Sequence, residues 1–288
     1  MSKLTRGWVV LVTLSLAACS ASMSNDEDAG GGSGGGAGGG GAGGGGGGGG
    51  GADQDAGDVD GGNAQDGGSG SDAGAGYDGG WLGVDGGVSP TMSFFVTSRG
   101  NGRGGDLRTD AGDSDGLVGA DALCHSLAQA VSPILGAKTW RAYLSTATID
   151  ARDRIGSGPW YNAKGVVIAQ NVAHLHDDAG MPNALSLANT LDENGNEVRS
   201  VSPGNVHDIL TGTNLDGTVY AGQHCNNWTS STAAFTARVG HSNRQGGGQF
   251  PTSWNSAHNT AGCAPPGTGG GNVGSGGGRG SFYCFASN

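Results

Sequence analysis

Ser281-Phe-Tyr-Cys-Phe285 is an apolar, aromatic run built around a cysteine, and it reads as a strand. Three more cysteines precede Cys284 in the C-terminal half: Cys124, Cys225 and Cys263. A fifth, Cys19, stands near the start. Leu117 to Val131 reads as a helix, because Ala120, Leu123, Cys124, Leu127, Ala128 and Val131 share one face at helical spacing. Pro133 ends it. Ser93-Phe-Phe-Val-Thr97 and Trp140-Arg-Ala-Tyr-Leu-Ser145 read as strands. So do Ile209–Thr213 and Thr218–Ala221, with the turn Asp216-Gly217 between them. One early helix, many short strands and long loops make an α+β domain.

The N-terminus places the chain. Lys3 and Arg6 precede an apolar stretch, Trp8 to Ala18, of about a dozen residues, too short to span a bilayer as a helix. It reads as a signal peptide over residues 1–18. Leu16-Ala17-Ala18-Cys19 resembles the lipobox of bacterial lipoproteins, which implies lipidation at Cys19 and a lipid anchor in the cell envelope. Ser20 after the cysteine favours the outer membrane, by resemblance to enterobacterial sorting.

Residues 19–89 carry the lipidated cysteine and a tether of Gly, Ala, Ser and Asp. Such a segment buries too little apolar surface to offset its chain entropy and is expected to be disordered. A flexible chain of this length spans roughly 40–50 Å. Eleven of the 25 acids lie between Asp26 and Asp85, where no Lys or Arg occurs. The net charge of −11 is thus mainly a tether property. Residues 90–288 are near neutral, without the basic patch that nucleic acid or heparin-like polyanions need.

Four cysteines in an exported domain imply two disulfides, for which three pairings exist. The preferred one is nested. Cys124–Cys284 would tie the early helix to the last strand, and Cys225–Cys263 would clamp a late glycine-rich loop. No Cys-x-x-Cys pair points to a structural zinc site.

Several segments together resemble the C-type lectin-like fold, and more closely its endostatin-type branch. They are Trp140-Arg-Ala-Tyr-Leu-Ser145, Leu210-Thr-Gly-Thr213 followed by Asp216-Gly217, Cys225-Asn-Asn-Trp-Thr229, Cys263 and Tyr283-Cys-Phe285. They occur in the family's order and cover roughly Phe94 to Phe285. Gly119-Ala-Asp-Ala-Leu-Cys124 also resembles a signature of bacterial lipoproteins of uncharacterised function that carry this domain. The resemblance implies a fold and a non-catalytic binding module. Its sugar-binding members hold Ca²⁺ with a Glu-Pro-Asn and a Trp-Asn-Asp triplet. Here Trp254-Asn255-Ser256 falls where the second triplet would, its third residue carries no carboxylate, and no first triplet is found. No cofactor is therefore expected, Ca²⁺ being implied only through an incomplete motif.

Other constellations are weaker. His174, His176 and Asp178 are metal-ligand types close together, and alternate strand residues would share a face. They read first as a solvated polar loop and otherwise as the centre of a metal-dependent hydrolase. His207-Asp208 and His224 are weaker still. Asp192-Glu-Asn-Gly-Asn-Glu197 reads as a hairpin turn. Asp106, Asp110, Asp113 and Asp115 read as a solvated loop, with Asp115 or a neighbour capping the helix. Trp140 and Trp228 read as core, whereas Trp160 and Tyr161, between Pro159 and Asn162, read as a surface platform for stacking a sugar. No nucleophile signature occurs, so no enzyme is expected. The candidate ligand-binding residues are Trp254, Asn255, Trp160 and Tyr161, and the expected partner is a glycan or a protein at the cell surface. The alternative is a structural or adhesive envelope protein without a small ligand.

Overall fold

Gly278–Ala286 is the strand on which the domain is assembled. The computed structural model describes residues 87–177, 182–198 and 206–287, all within one compact unit. Their strands are β1 (Phe94–Val96), β2 (Trp140–Ala142), β3 (Trp160–Tyr161), β4 (Val167–Ala169), β5 (Asp208–Leu210), β6 (Arg238–His241), β7 (His258–Asn259) and β8 (Gly278–Ala286). The helices are α1 (Leu117–Val131), α2 (Pro133–Gly136) and α3 (Val172–His176). The signal peptide, Cys19 and the tether lie outside the described residues.

β8 uses both edges. β1 runs antiparallel along one, with Phe95 opposite Cys284. The other edge is shared. β5 runs parallel to the first half, with Leu210 opposite Phe282, and β2 runs antiparallel to the end, with Ala142 opposite Cys284. β6 and β7 extend the sheet beyond β5, and β3 pairs with β4 apart from it.

The apolar runs fail to alternate because the sheet is buried on both faces. Phe282, Cys284 and Ala286 join Phe95, Trp140, Leu210 and the inner face of α1 in one core. Tyr283 and Phe285 join Phe94, Val96, Tyr143, Trp160 and Trp254 in a second core on the other face.

α1 packs Leu117, Ala120, Cys124, Leu127 and Ala128 inward, over the range its periodicity predicts. The Asp115 carboxylate accepts from the Leu117 N–H at 2.9 Å and satisfies one free donor of the first turn. Ser132 then leaves the helix in an extended conformation. Its hydroxyl caps α2 by accepting from the Ile134 N–H, so Pro133 ends one helix and opens the next. The disulfides are nested. Cys124–Cys284 spans 160 residues and joins α1 to β8, and Cys225–Cys263 spans 38.

One expected strand differs, and so does one expected loop. Thr218–Ala221 makes only a single bridge, Val219 to Thr213, around the Asp216-Gly217 turn, because the Val219 N–H is taken by the Asp150 carboxylate at 2.7 Å. His174 and His176, read first as part of a solvated polar loop, lie in α3, since Asn171 accepts from the His174 N–H and starts a helical turn.

Cys225 to Trp228 is a left-handed turn with four successive positive φ values of 48°, 54°, 59° and 61°. Each such non-glycine residue costs roughly 1–2 kcal/mol. The turn is held by the Cys225–Cys263 bond, by the Trp228 indole N–H to Ser145 O at 2.7 Å, and by Asn227 Oδ1 accepting from the Ala147 N–H. Asn226 is exposed, yet Asn226→Ala is expected to lower stability by about 1 kcal/mol, where an ordinary exposed substitution stays within about 0.5. Asn226→Gly should not lower it. Urea denaturation of the two variants checks this, and equal stabilities would refute the strain argument.

Candidate functional site

The late loops do not present the residues expected to bind ligand. Trp254, Asn255 and Ser256 are all fully buried. The Asn255 side-chain amide donates to Tyr143 Oη at 3.1 Å, Asn214 O at 3.0 Å and Leu215 O at 3.1 Å, its Oδ1 accepts from the Ser253 hydroxyl at 3.0 Å, and its backbone carbonyl accepts from the Thr211 and Thr213 hydroxyls. It is a brace between loops and has nothing left for a metal. The residues present therefore do not fit a calcium site built on a Trp-Asn-Asp triplet. The Trp254 ring packs against Tyr143 at 4.9 Å and Tyr283 at 5.3 Å. Burial holds both phenols above their ordinary values.

Trp160 is a correction. It is buried in the second core, edge-on to Phe285 at 5.2 Å, with its indole N–H on Ala286 O at 3.1 Å. Strand pairing in β3 turns the ring inward, so no sugar platform stands there, and Tyr161 is half-buried. His174 and His176 do not converge. Two positions apart in a helix they diverge by about 200°. His176 pairs with Tyr143 Oη at 2.7 Å and Val172 O at 2.8 Å, whereas His174 Nδ1 accepts from the Gln170 N–H. Asp178 lies outside the described residues.

An open cleft of about 300 Å³ does exist nearby, lined by Asn214, Leu215, Asp216, Thr218, Phe250 and Ser256. One wall is the Asp216-Gly217 turn. The other comes from segment 242–257. Burial works to raise the Asp216 carboxyl, but hydrogen bonds from the Thr218 hydroxyl and N–H outweigh it and hold the group below the ordinary carboxylate range.

Behind Phe250 and Ser256 sits Arg238, almost fully buried. It donates to Ser256 Oγ and O, Gln249 Oε1 and Asn259 Oδ1 at 2.9–3.1 Å. Its guanidinium lies 4.7 Å from the centre of the Tyr220 ring. A second hollow beside α1 centres on Asp121, already saturated by Arg141 and Arg154.

The strongest concentration of chemistry was the weakest in sequence. His207 precedes β5, Asp208 opens it, His241 ends β6 and His258 opens β7. The Nε2 atoms of the three histidines lie 3.3, 3.4 and 3.4 Å from the same oxygen, Asp208 Oδ1. Asp208 and His241 are buried, His207 is nearly so, and the His258 side chain is 23 % exposed. Burial lowers the His241 pKa, and the Asp208 carboxylate raises that of His258. Two glycines allow this approach. A Cβ at Gly276 would come within 2.6 Å of Asp208 Oδ2, and one at Gly246 within 2.6 Å of the His241 ring. Among the described residues, His207, Asp208 and His241 are the group able to hold a metal ion, their ligand atoms lying within 4.8 Å of one another. No signature spacing links these residues, because three separate strands deliver them.

No protein-family model matches the chain, and no curated protein matches it.

Proposed function

We propose that the protein is an exported, lipid-anchored envelope module whose C-type lectin-like, endostatin-related domain binds a surface glycan or protein without catalysis. The observation that carries this reading is the cleft between the Asp216-Gly217 turn and segment 242–257. It combines a carboxylate, an amide and hydroxyls with the apolar edges of Leu215 and Phe250, the mixture that orients a hydroxyl-rich ligand. This reading assigns calcium no part, since Asn255 Oδ1 accepts from the Ser253 hydroxyl and Ser256 supplies no carboxylate.

The test is a glycan array probed with the full oxidised chain, alongside Asp216→Ala, Phe250→Ala and, as a control in the other hollow, Val118→Ala. Specific binding is expected to fall at least tenfold in the first two variants and to persist in the third. Glycan binding unaffected by Asp216→Ala and Phe250→Ala would remove the cleft from the reading. Absence of glycan binding, followed by an empty pull-down from envelope extracts, would leave a structural role in the envelope.

A further inference from the structure

Three of the seven histidines of this chain aim the same ring nitrogen at one buried carboxylate oxygen. Their other nitrogens are fixed. His241 Nδ1 lies 2.7 Å from Pro251 O, His258 Nδ1 3.0 Å from Asn259 O, and His207 Nδ1 3.1 Å from Asn243 Oδ1. The Asn243 oxygen is fixed as an acceptor by the Gln245 N–H, which donates to it at 3.0 Å. Each Nδ1 therefore carries its proton outward. In a neutral imidazole that leaves the Nε2 lone pair pointing inward.

Such an arrangement repels itself. Three lone pairs would face an anionic oxygen, and neither Asp208 Oδ1 nor His241 Nε2 has a hydrogen-bond partner. Protonating every ring would crowd cations in a buried space, where the His207 and His241 rings stack with centroids 4.5 Å apart. A divalent cation among His207, Asp208 and His241 removes both difficulties. It also suits the spacing to the carboxylate. An ion held at about 2.0–2.1 Å by nitrogen and oxygen ligands in a tetrahedron sets them about 3.3–3.4 Å apart. Hydrogen bonds would draw them to about 2.9 Å. His207 Nε2 and His241 Nε2 lie 3.3 and 3.4 Å from Asp208 Oδ1. Outward Nδ1–H bonds to carbonyl oxygens are the usual support of metal-bound histidine. The donor set excludes calcium and magnesium, which need six or more mainly oxygen ligands.

We propose that His207, Asp208 and His241 form a three-ligand site for a zinc-class divalent cation, with His258 beside its carboxylate, and that this ion clips the start of segment 242–257 to β5. The segment leaves the sheet at one ligand, His241, and returns at His258, whose Nε2 lies 3.4 Å from Asp208 Oδ1. The ion joins the start to β5 through His207 and Asp208. Between His241 and His258 lie Gln249, Phe250 and Ser256, which hold Arg238 or wall the cleft. The imidazoles and carboxylate suit zinc, and three protein ligands leave a fourth position for a water.

The test uses the full oxidised chain, stripped with a chelator and then titrated with zinc and, separately, with cobalt(II). Zinc is counted by elemental mass spectrometry, and cobalt reports coordination through its visible absorption. Hydrogen exchange follows residues 242–257. One equivalent is expected, with tetrahedral cobalt bands and faster exchange in the segment once the metal is removed. His241→Ala should abolish binding. Asp208→Asn, which keeps the size of the side chain, should weaken it at least tenfold with the near-ultraviolet dichroism unchanged, whereas His258→Ala should leave one equivalent bound. Substoichiometric zinc in the parent, an octahedral cobalt spectrum, or affinity unchanged by Asp208→Asn would overturn the three-ligand site. Exchange in 242–257 that ignores the metal would overturn the clip.

Discussion

Replacing Cys124 and Cys284 together by alanine is expected to lower the stability of the domain by about 5 kcal/mol. The bond closes a span of 160 residues. On the loop-entropy account, that restriction of the unfolded chain is worth about 5 kcal/mol, against about 4 for the 38-residue span of Cys225–Cys263. Small domains have only about 5–15 kcal/mol in total, so the variant should sit at the edge of folding. The location adds to the effect. Cys284 lies opposite Phe95 on one edge of β8 and Ala142 on the other, and its partner is on the buried face of α1. Urea denaturation of the oxidised variant against the parent measures the loss. A loss under about 1 kcal/mol would mean that the unfolded chain is already compact enough for the crosslink to restrict little.

Trp254→Ala is expected to cost about 3–5 kcal/mol, the range for emptying a buried tryptophan site. The ring fills the second core beneath Tyr143 and Tyr283, and the Tyr283 hydroxyl donates to the Trp254 carbonyl at 2.7 Å. Trp254→Phe should cost far less, about 1–2 kcal/mol. It keeps an aromatic ring and removes an indole N–H that is buried without a partner. Together the variants separate two roles. A large stability loss with Ala and a small one with Phe assigns Trp254 to the core. Unchanged stability with loss of glycan binding in both would restore it as a ligand residue.

Local signals were legible and convergent ones were not. α1 repeats its apolar positions often enough to be read to the residue, and Phe94–Val96 and Phe282–Phe285 carry strand composition without ambiguity. The Asp216-Gly217 turn is equally plain, since Gly217 adopts φ 82°. Trp160 misled because flanking Pro159 and Asn162 look like loop, whereas burial is decided by Phe285 and Ala286, more than a hundred residues away. The single helical turn holding His174 and His176 was not legible, because over five residues a short helix and a polar loop look alike. Trp254 and Asn255 were singled out through a resemblance, but their neighbours turn them inward. The His207, Asp208, His241 and His258 group had no periodicity to betray it. Its only local trace was the pair His207-Asp208, and its geometry depends on the pairing of β5 with β6 and of β6 with β7.

The place of β8 in the order of strands bears on how the chain folds as it is made. Three strands, β1, β2 and β5, wait for a partner that follows all of them in sequence. During synthesis each must remain open until β8 emerges, because a sheet lacking its central member offers no two-sided core to collapse around. Under the proposed export, a polypeptide threaded through a membrane from its N-terminus would stay pliable for the passage and close only after arrival, where an oxidising environment would seal Cys284 to Cys124.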